Sequence, residues 1–267
     1  MKLSVLMTVY NEADFIEYAI EGCIPYVDHL VIVEGAYKEK IRLGCSPRST
    51  DGTVEKITKC LCTKGTDTSD WIEYINANEE SDRDQRNVGW RKIKELNPDG
   101  FLLIIDGDEV YQKQTFDLIY STMNMMRKSQ KKFAYFNSLT FVNDFNHYTN
   151  QYFPRLFDLQ NSVGFFNDNH MQWSDKVYDH SILYGQGSSP IKYHHYSFVK
   201  GAEKFNQKRN WWMSRGLGKG FDYGWKVDEN GQITDKNHRI FLYTGKHPSI
   251  MNSHPMMQGE NKNGNKE

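Results

Sequence analysis

The feature that most limits what this chain can fold into is the apolar run 101–105 (FLLII), which leads directly into Asp106-Gly107-Asp108-Glu109. The run has no polar alternation and follows a Pro98-Asp99-Gly100 turn. That pattern predicts a strand buried on both faces, as in a parallel sheet covered by helices. Three carboxylates then sit at the C-terminal end of such a strand, where open α/β sheets bind their ligands. Asp106 and Asp108 are two apart, so on an extended chain they project to one side. Gly107 between them permits close approach of a ligand to the backbone. Paired carboxylates with room for water and phosphate oxygens suit Mg²⁺ or Mn²⁺ bridging a diphosphate. The alternative is an acidic turn that caps the next helix.

The chain before this run has the same layout. Residues 3–10 (LSVLMTVY) predict a first strand, Asn11 a helix N-cap, and 29–34 (HLVIVE) a second buried strand. Strand, helix and strand in about 35 residues make a right-handed parallel unit, the start of a doubly wound sheet. Glu34 falls at a strand end, as a binding residue or as an exposed terminus. Ser49-Thr50-Asp51-Gly52-Thr53 opens another helix, with Asp51 as its N-cap or beside a nucleotide. After a strand over 71–76, a helix over 79–96 carries Arg83, Arg86, Asn87 and Trp90 at spacings of three to four, on one face. That stripe can hold a base, ribose or phosphate, or it is a surface ion-pair face with Asp82 and Asp84.

Beyond residue 111 the character changes. A helix is expected over 112–131, strands over 133–142, 154–159 and 191–198, and a loop over 161–190 containing Asp168, His170 and Asp175. A basic, aromatic helix spans 201–215, and a polar tail from 257 has the composition of a disordered segment. Thirty-three Lys and Arg against 34 Asp and Glu leave a net charge of −1, which supplies no global field for nucleic acid or an anionic membrane. No apolar segment approaches the roughly 20 residues of a membrane span. Met1 leads into a strand without a secretory pattern, so a soluble, cytoplasmic protein is expected. Cys23, Cys45, Cys60 and Cys62 lack zinc-pair spacing and read as reduced thiols.

Four segments in order, Val9-Tyr10-Asn11-Glu12, Ser49 to Thr53, Arg86-Asn87 and Asp106 to Glu109, resemble the GT-A glycosyltransferases of glycosyltransferase family 2, an inverting group. Pro154-Arg155-Leu156-Phe157, the loop from Gly164 to His170, and His195-Tyr196 resemble later motifs of one branch. There the histidine at position 170 is followed by a glutamate, where this chain has Met171-Gln172. The resemblance implies an α/β, Rossmann-like, mostly parallel sheet flanked by helices. Residues 1–110 would be the nucleotide-sugar half and 111–256, with a smaller mixed sheet, the acceptor half.

It further implies transfer of a sugar from a nucleotide-diphosphate donor, with a UDP-sugar favoured, to a hydroxyl of a glycan, glycoconjugate or other acceptor. Val9, Tyr10, Asn11, Glu12, Glu34 and Asp51, with Arg83, Arg86, Asn87, Asp106 and Gly107, would line the donor. Mn²⁺ or Mg²⁺ would be held by Asp108, with Asp106 nearer the ribose or a metal-bound water and His195 completing the shell. Asp168, His170 and Asp175 are the candidate bases. Two rival readings are a nucleotidyltransferase and a non-catalytic carbohydrate-binding module. The first rival normally has a Gly-rich loop where this chain reads Tyr10-Asn11-Glu12-Ala13.

Overall fold

The computed structural model describes all residues except 63–70, 166, 168, 175–181, 215–224, 236, 238 and 259–267. The expected tail therefore falls largely outside the described residues. The chain forms two compact units. The first comprises Met1–Asn137 with Tyr152–Tyr193, and the second Ser138–Gln151 with His194–Glu267.

The first unit opens with β1 (Leu3–Val9), α1 (Ile16–Cys23), β2 (His29–Glu34), α2 (Lys38–Arg42), α3 (Thr53–Cys62), β3 (Ile72–Asn76) and α4 (Asp82–Leu96). It continues with β4 (Phe101–Ile104), β5 (Glu109–Val110) and α5 (Lys113–Lys128). β6 (Phe133–Val142), β7 (His147–Asp158) and β10 (Lys192–Phe198) give residues to both units, while β8 (Ser162–Phe165) and β9 (Met171–Trp173) pair as a hairpin in the first. The strand order is β3-β2-β1-β4-β7-β6-β10-β5. β1, β2, β3 and β4 run parallel, and β7 joins β4 antiparallel.

Alternation along each central strand feeds two cores. Leu3, Val5, Met7, Leu30, Ile32, Phe101 and Leu103 pack with α1 and α5 residues such as Ile16, Ile20, Phe116 and Ile119. Leu6, Val31, Val33, Leu102 and Ile104 pack on the other face with Ile93 of α4. Both faces are apolar because both are covered, which is why the runs in sequence show no polar alternation. Gly89 lets α4 lie close to the sheet, since a Cβ there would stand 2.2 Å from Leu6 Cδ1 and 3.0 Å from Val33 Cγ2. β1 leads to β2 and β3 on one side while β4 lies on its other side, so the order reverses between β1 and β4. At such a switch point the loops after the strands part and leave a crevice.

The second unit has its own apolar cluster, in which Val142, Phe198, Phe205 of α6 (Ala202–Ser214) and Ile233 pack together. β11 (Trp225–Val227) and β12 (Ile233–Asp235) pair as an antiparallel hairpin, and β13 (Phe241–Leu242) pairs with the start of β7. No helix among the described residues is long and apolar enough to cross a membrane.

Candidate active site

The crevice between β1 and β4 is built first by backbone. Asn11, expected to cap a helix, instead has φ 56°, and α1 begins only at Ile16. Three successive amides are held by the segment before α3. Asn11 N donates to Ser49 Oγ at 2.9 Å, Glu12 N to Thr53 Oγ1 at 2.8 Å, and Ala13 N to Asp51 Oδ2 at 3.1 Å. Thr50 N returns a bond to Asn11 Oδ1 at 2.9 Å. The other oxygen of Asp51 accepts from Thr53 N at 3.1 Å and Thr53 Oγ1 at 2.6 Å, a local side-chain turn just before α3. The motif Ser49 to Thr53 thus clasps the loop after β1. Tyr10 turns away to donate to Ser46 O at 2.9 Å.

Glu34, at the end of β2, is fully buried, so it is not an exposed terminus. Its carboxylate accepts from Arg48 Nε at 2.5 Å, Ser49 N at 2.8 Å and Tyr74 Oη at 3.3 Å. A buried carboxylate needs such neutralisation and hydrogen bonding to stay ionised.

The stripe on α4 divides. Ser81 caps the helix by accepting from Asp84 N at 3.3 Å, and Arg83 lies on the surface against Asp84 at 2.8 Å. Asn87 bonds the backbone of Phe165 twice, Phe165 N donating at 2.7 Å and Asn87 Nδ2 donating to its carbonyl at 3.0 Å. Trp90 Nε1 donates to Ser162 Oγ at 3.1 Å. Asn87 and Trp90 therefore fix the β8 hairpin, and Gly164, at φ 121°, passes where a Cβ would lie 2.8 Å from Asn87 Oδ1.

Arg86 alone points to the acidic turn. It is buried, and its Nη2 donates to Asp106 Oδ1 at 3.3 Å while Nε donates to Asp82 Oδ1 at 3.2 Å. On the opposite side Arg155 of β7 donates through Nη2 to Asp106 Oδ2 at 2.8 Å and to Glu109 Oε1. The antiparallel register pairs Leu103 with Leu156, so the preceding residue of β7, Arg155, is carried to the end of β4 where the turn begins. Burial alone would lower the pKa of either guanidinium. The carboxylates beside them, Asp82 and Asp106 at Arg86 and Asp106 and Glu109 at Arg155, outweigh it and hold both above the usual value. Burial likewise pushes the Tyr111 phenol well up, with the Glu109 charge adding to it.

The turn itself is closed by Glu109 N donating to Asp106 O at 3.0 Å and Asp106 N donating to Glu109 Oε2 at 3.2 Å. Asp106 is 29% exposed, and Asp108 is 3% exposed. A Cβ on Gly107 would stand 2.9 Å from Cβ and Cγ of Glu12 and 3.2 Å from Val9 Cγ1. The glycine is thus required by the packing of the turn on the loop after β1, which brings Val9, Glu12 and Gly107 together.

This donor set is all oxygen, the kind Mg²⁺ and Mn²⁺ take in small number alongside phosphate and water. Such chemistry would suit a cation, but among the described residues the carboxylates of the turn do not bring three donor atoms within 4.8 Å of one another. At Asp106 the compensating charge is the two guanidiniums. His195 belongs to the second unit, where its Nδ1 lies 3.4 Å from Thr140 Oγ1 and 3.5 Å from Ser138 Oγ. Among the described residues, three side chains that bring His, Cys, Asp or Glu donor atoms within 4.8 Å of one another are Glu17, Glu21 and Cys60, where Lys59 already pairs with Glu17 at 2.7 Å.

Of the candidate bases, Asp168 and Asp175 lie outside the described residues. His170 is half-buried, and burial lowers its pKa, so the ring is in its basic form at neutral pH. Its Nδ1 lies 3.0 Å from Asn167 Oδ1 and its Nε2 3.2 Å from Tyr135 Oη. Arg155, Arg48, Tyr74 and Tyr193 were not singled out as site residues from sequence. For Arg155 one signal was present, a charged residue inside the buried run Pro154 to Phe157, which demands a partner.

No family model matches the chain, and no curated protein matches it. Solved structures that overlap it include TarS of S. aureus in complex with UDP, at 18% identity over 53% of this chain and 36% of that one, with a TM-score of 0.37. Residues 1–349 of TarS overlap at 12% identity, 79% and 64% coverage and a TM-score of 0.43. The chain thus spans less than two thirds of the TarS structures it matches. A mannose-6-phosphate isomerase from Helicobacter pylori overlaps at 9% identity, 73% and 97% coverage and a TM-score of 0.33. Overlaps this loose decide neither fold nor chemistry, and the reading below rests on the chain's own residues.

Proposed function

We propose that the chain is a glycosyltransferase that moves a sugar, with inversion, from a nucleotide-diphosphate donor to an acceptor hydroxyl, with a UDP-sugar as the favoured donor. The observation that carries the reading is the acidic turn at the β1–β4 switch point, packed by Gly107 onto Glu12 and flanked by buried arginines. Doubly wound sheets bind nucleotides at this position, and the same residues carry the family resemblance. The acceptor oxygen forms a bond to the anomeric carbon as the bond from that carbon to the diphosphate breaks. The leaving diphosphate takes the electron pair.

In this reading Asp108 holds Mn²⁺ or Mg²⁺, which when bound supplies Lewis-acid neutralisation of the departing phosphates. Asp106, oriented by Arg86 and Arg155, accepts hydrogen bonds from the ribose or a cation-bound water. The loop from Asn11 to Ala13, fixed by Ser49 to Thr53, gives the crevice a rigid wall, so little of the binding energy goes into ordering it. The base that takes the acceptor proton is one of Asp168, His170 and Asp175, and of these His170 is neutral at pH 7.

The test is to measure melting temperature with UDP, GDP, CMP and dTDP, each with Mn²⁺ or with chelator, and then to follow products from the matching sugar nucleotide. Stabilisation by one nucleotide that needs Mn²⁺ is expected, because a ligand of the native state raises the melting point. Release of nucleoside diphosphate is expected from turnover. Release of pyrophosphate would identify a nucleotidyltransferase instead, and sugar binding without turnover a binding module.

A further inference from the structure

Arg155 is 46 residues from Glu109 in sequence, yet it touches both ends of the acidic turn. One nitrogen, Nη2, donates to Asp106 at 2.8 Å and to Glu109, while Nε donates to Tyr193 Oη at 3.2 Å. The guanidinium lies 5.0 Å from the Phe153 ring centroid and 5.7 Å from that of Tyr193, and Tyr193 stacks on Tyr111 at 5.0 Å and 3°. The planar ion is therefore held on its face by rings and on its edges by two carboxylates and a phenol. Stability alone does not call for an arginine here. A buried ion pair is often no better than an apolar replacement of the same volume. Arg155 Nη1 is moreover buried without a hydrogen-bond partner, which adds a desolvation cost.

We infer that Arg155 is a positioning residue: by bridging the Asp106 and Glu109 carboxylates it locks the acidic turn and so fixes the direction in which Asp108 leaves the chain. The inference rests on the reading of this turn as the nucleotide and cation site. Asp108 sits between the two bridged residues, so its Cα moves only if the bridge opens or the backbone bonds between Asp106 and Glu109 break. Arg86 restrains the other oxygen of Asp106 but does not reach Glu109 in any contact described above. A lysine cannot replace the fork, because an ammonium is a point charge without the planar geometry that serves three acceptors at once.

The test uses the full chain as Arg155→Lys, Arg155→Met, Glu109→Gln and the double variant Arg155→Met/Glu109→Gln. Arg155→Met strands the buried Glu109 charge and is expected to fold poorly. The double variant removes both charges and restores a cooperative melt. The readout is apparent UDP affinity with Mn²⁺ and with chelator. Folded Arg155→Lys and the double variant are expected to lose at least tenfold in Mn²⁺-supported UDP affinity and a smaller factor of the affinity measured in chelator, where only the hydrogen bond of Asp106 to the ribose is disturbed. If either folded variant binds UDP with Mn²⁺ within about twofold of the parent, Arg155 only balances a buried charge and the positioning role is overturned. If the parent itself gains nothing from UDP with Mn²⁺, the nucleotide reading falls, and the positioning role with it.

Discussion

The acidic turn of the first unit and the histidine cluster of the second both bury polar side chains among aromatic rings, but they hold them in opposite charge states. Around Asp106 the groups stay charged, because Arg86 and Arg155 supply countercharges within hydrogen-bond reach. Around Phe141 the groups stay neutral. His194 stacks on Phe141 at 5.7 Å, and burial, with His247 nearby, pushes its pKa down to about 3. Burial lowers the pKa of His247 and raises that of Tyr196 well above the usual value. The hydrogen bonds run in a consistent direction. Tyr243 Oη donates to Lys246 O at 3.0 Å, so at 2.8 Å it accepts from His194 Nε2. His247 Nε2 donates to Phe145 O at 2.9 Å, so its Nδ1 accepts from Tyr196 Oη at 2.9 Å. Neutral networks of this kind set a packing arrangement, whereas paired buried charges are costly to desolvate.

The largest expected effect breaks the charged side of this contrast. Arg155→Met leaves the buried Glu109 carboxyl without its countercharge, and should lower unfolding free energy by about 3–5 kcal/mol, read as a fall in the urea midpoint. His194→Phe keeps the ring stack and loses one neutral hydrogen bond, so about 1 kcal/mol is expected. Equal losses for the two variants would show that the two regions do not differ in the way argued.

The next effect is pH dependence. With its folded pKa near 3 and an unfolded value near 6.5, His194 binds its proton more readily in the unfolded chain. Stability therefore falls as pH drops from about 6.5 toward 3, by roughly 1.4 kcal/mol per pH unit from this group. His194→Phe should flatten that slope. Urea titrations at pH 7 and pH 5 check it, and an unchanged slope would mean that His194 is not the group responsible.

The contrast also marks how far sequence reading reaches. The strands at 3–9, 29–34 and 101–104 were legible because burial on both faces leaves an uninterrupted apolar run. The place of the acidic turn at a strand's C-terminal end followed from the same run, while its place at the switch point rests on the strand order of the sheet. What was not legible depended on contacts distant in sequence. Arg155 reaches the turn only through the antiparallel pairing of β7 with β4. The start of β7 lies ahead of the strand expected over 154–159, and the β8 hairpin was hidden by Gly164 at φ 121° and a shift of register. Likewise, Ser49 to Thr53 was visible as a capping motif, but its grip on Asn11, Glu12 and Ala13 spans 38 to 41 residues.

A smaller effect tests whether Asp51 is part of the clasp or a ligand contact. Asp51→Ala removes the turn bonds from Thr53 and a bond from Ala13 N, so about 1 kcal/mol of stability should be lost, with Asp51→Asn retaining most of it. If Asp51 only clasps the loop, Mn²⁺-supported UDP affinity should fall no more than about threefold, as loosening of the crevice wall and not loss of a contact. A fall of tenfold or more in a well-folded Asp51→Asn variant would instead put the carboxylate against the nucleotide.

The smallest effect is a control on charge itself. Glu80 pairs with Lys38 at 3.1 Å and Arg42 at 2.7 Å, and all three side chains are about half exposed or more. Their geometry is as close as that of Arg155 with Asp106, yet water already solvates each partner, and holding long side chains together costs entropy. Glu80→Ala should leave the melting temperature unchanged within error at 0.15 M salt, where exposed charges are screened beyond about 8 Å. A loss comparable to that of Arg155→Met would mean that ion-pair distance, and not burial, sets the energetics, and the separation drawn between the acidic turn and the rest of the charged surface would fail.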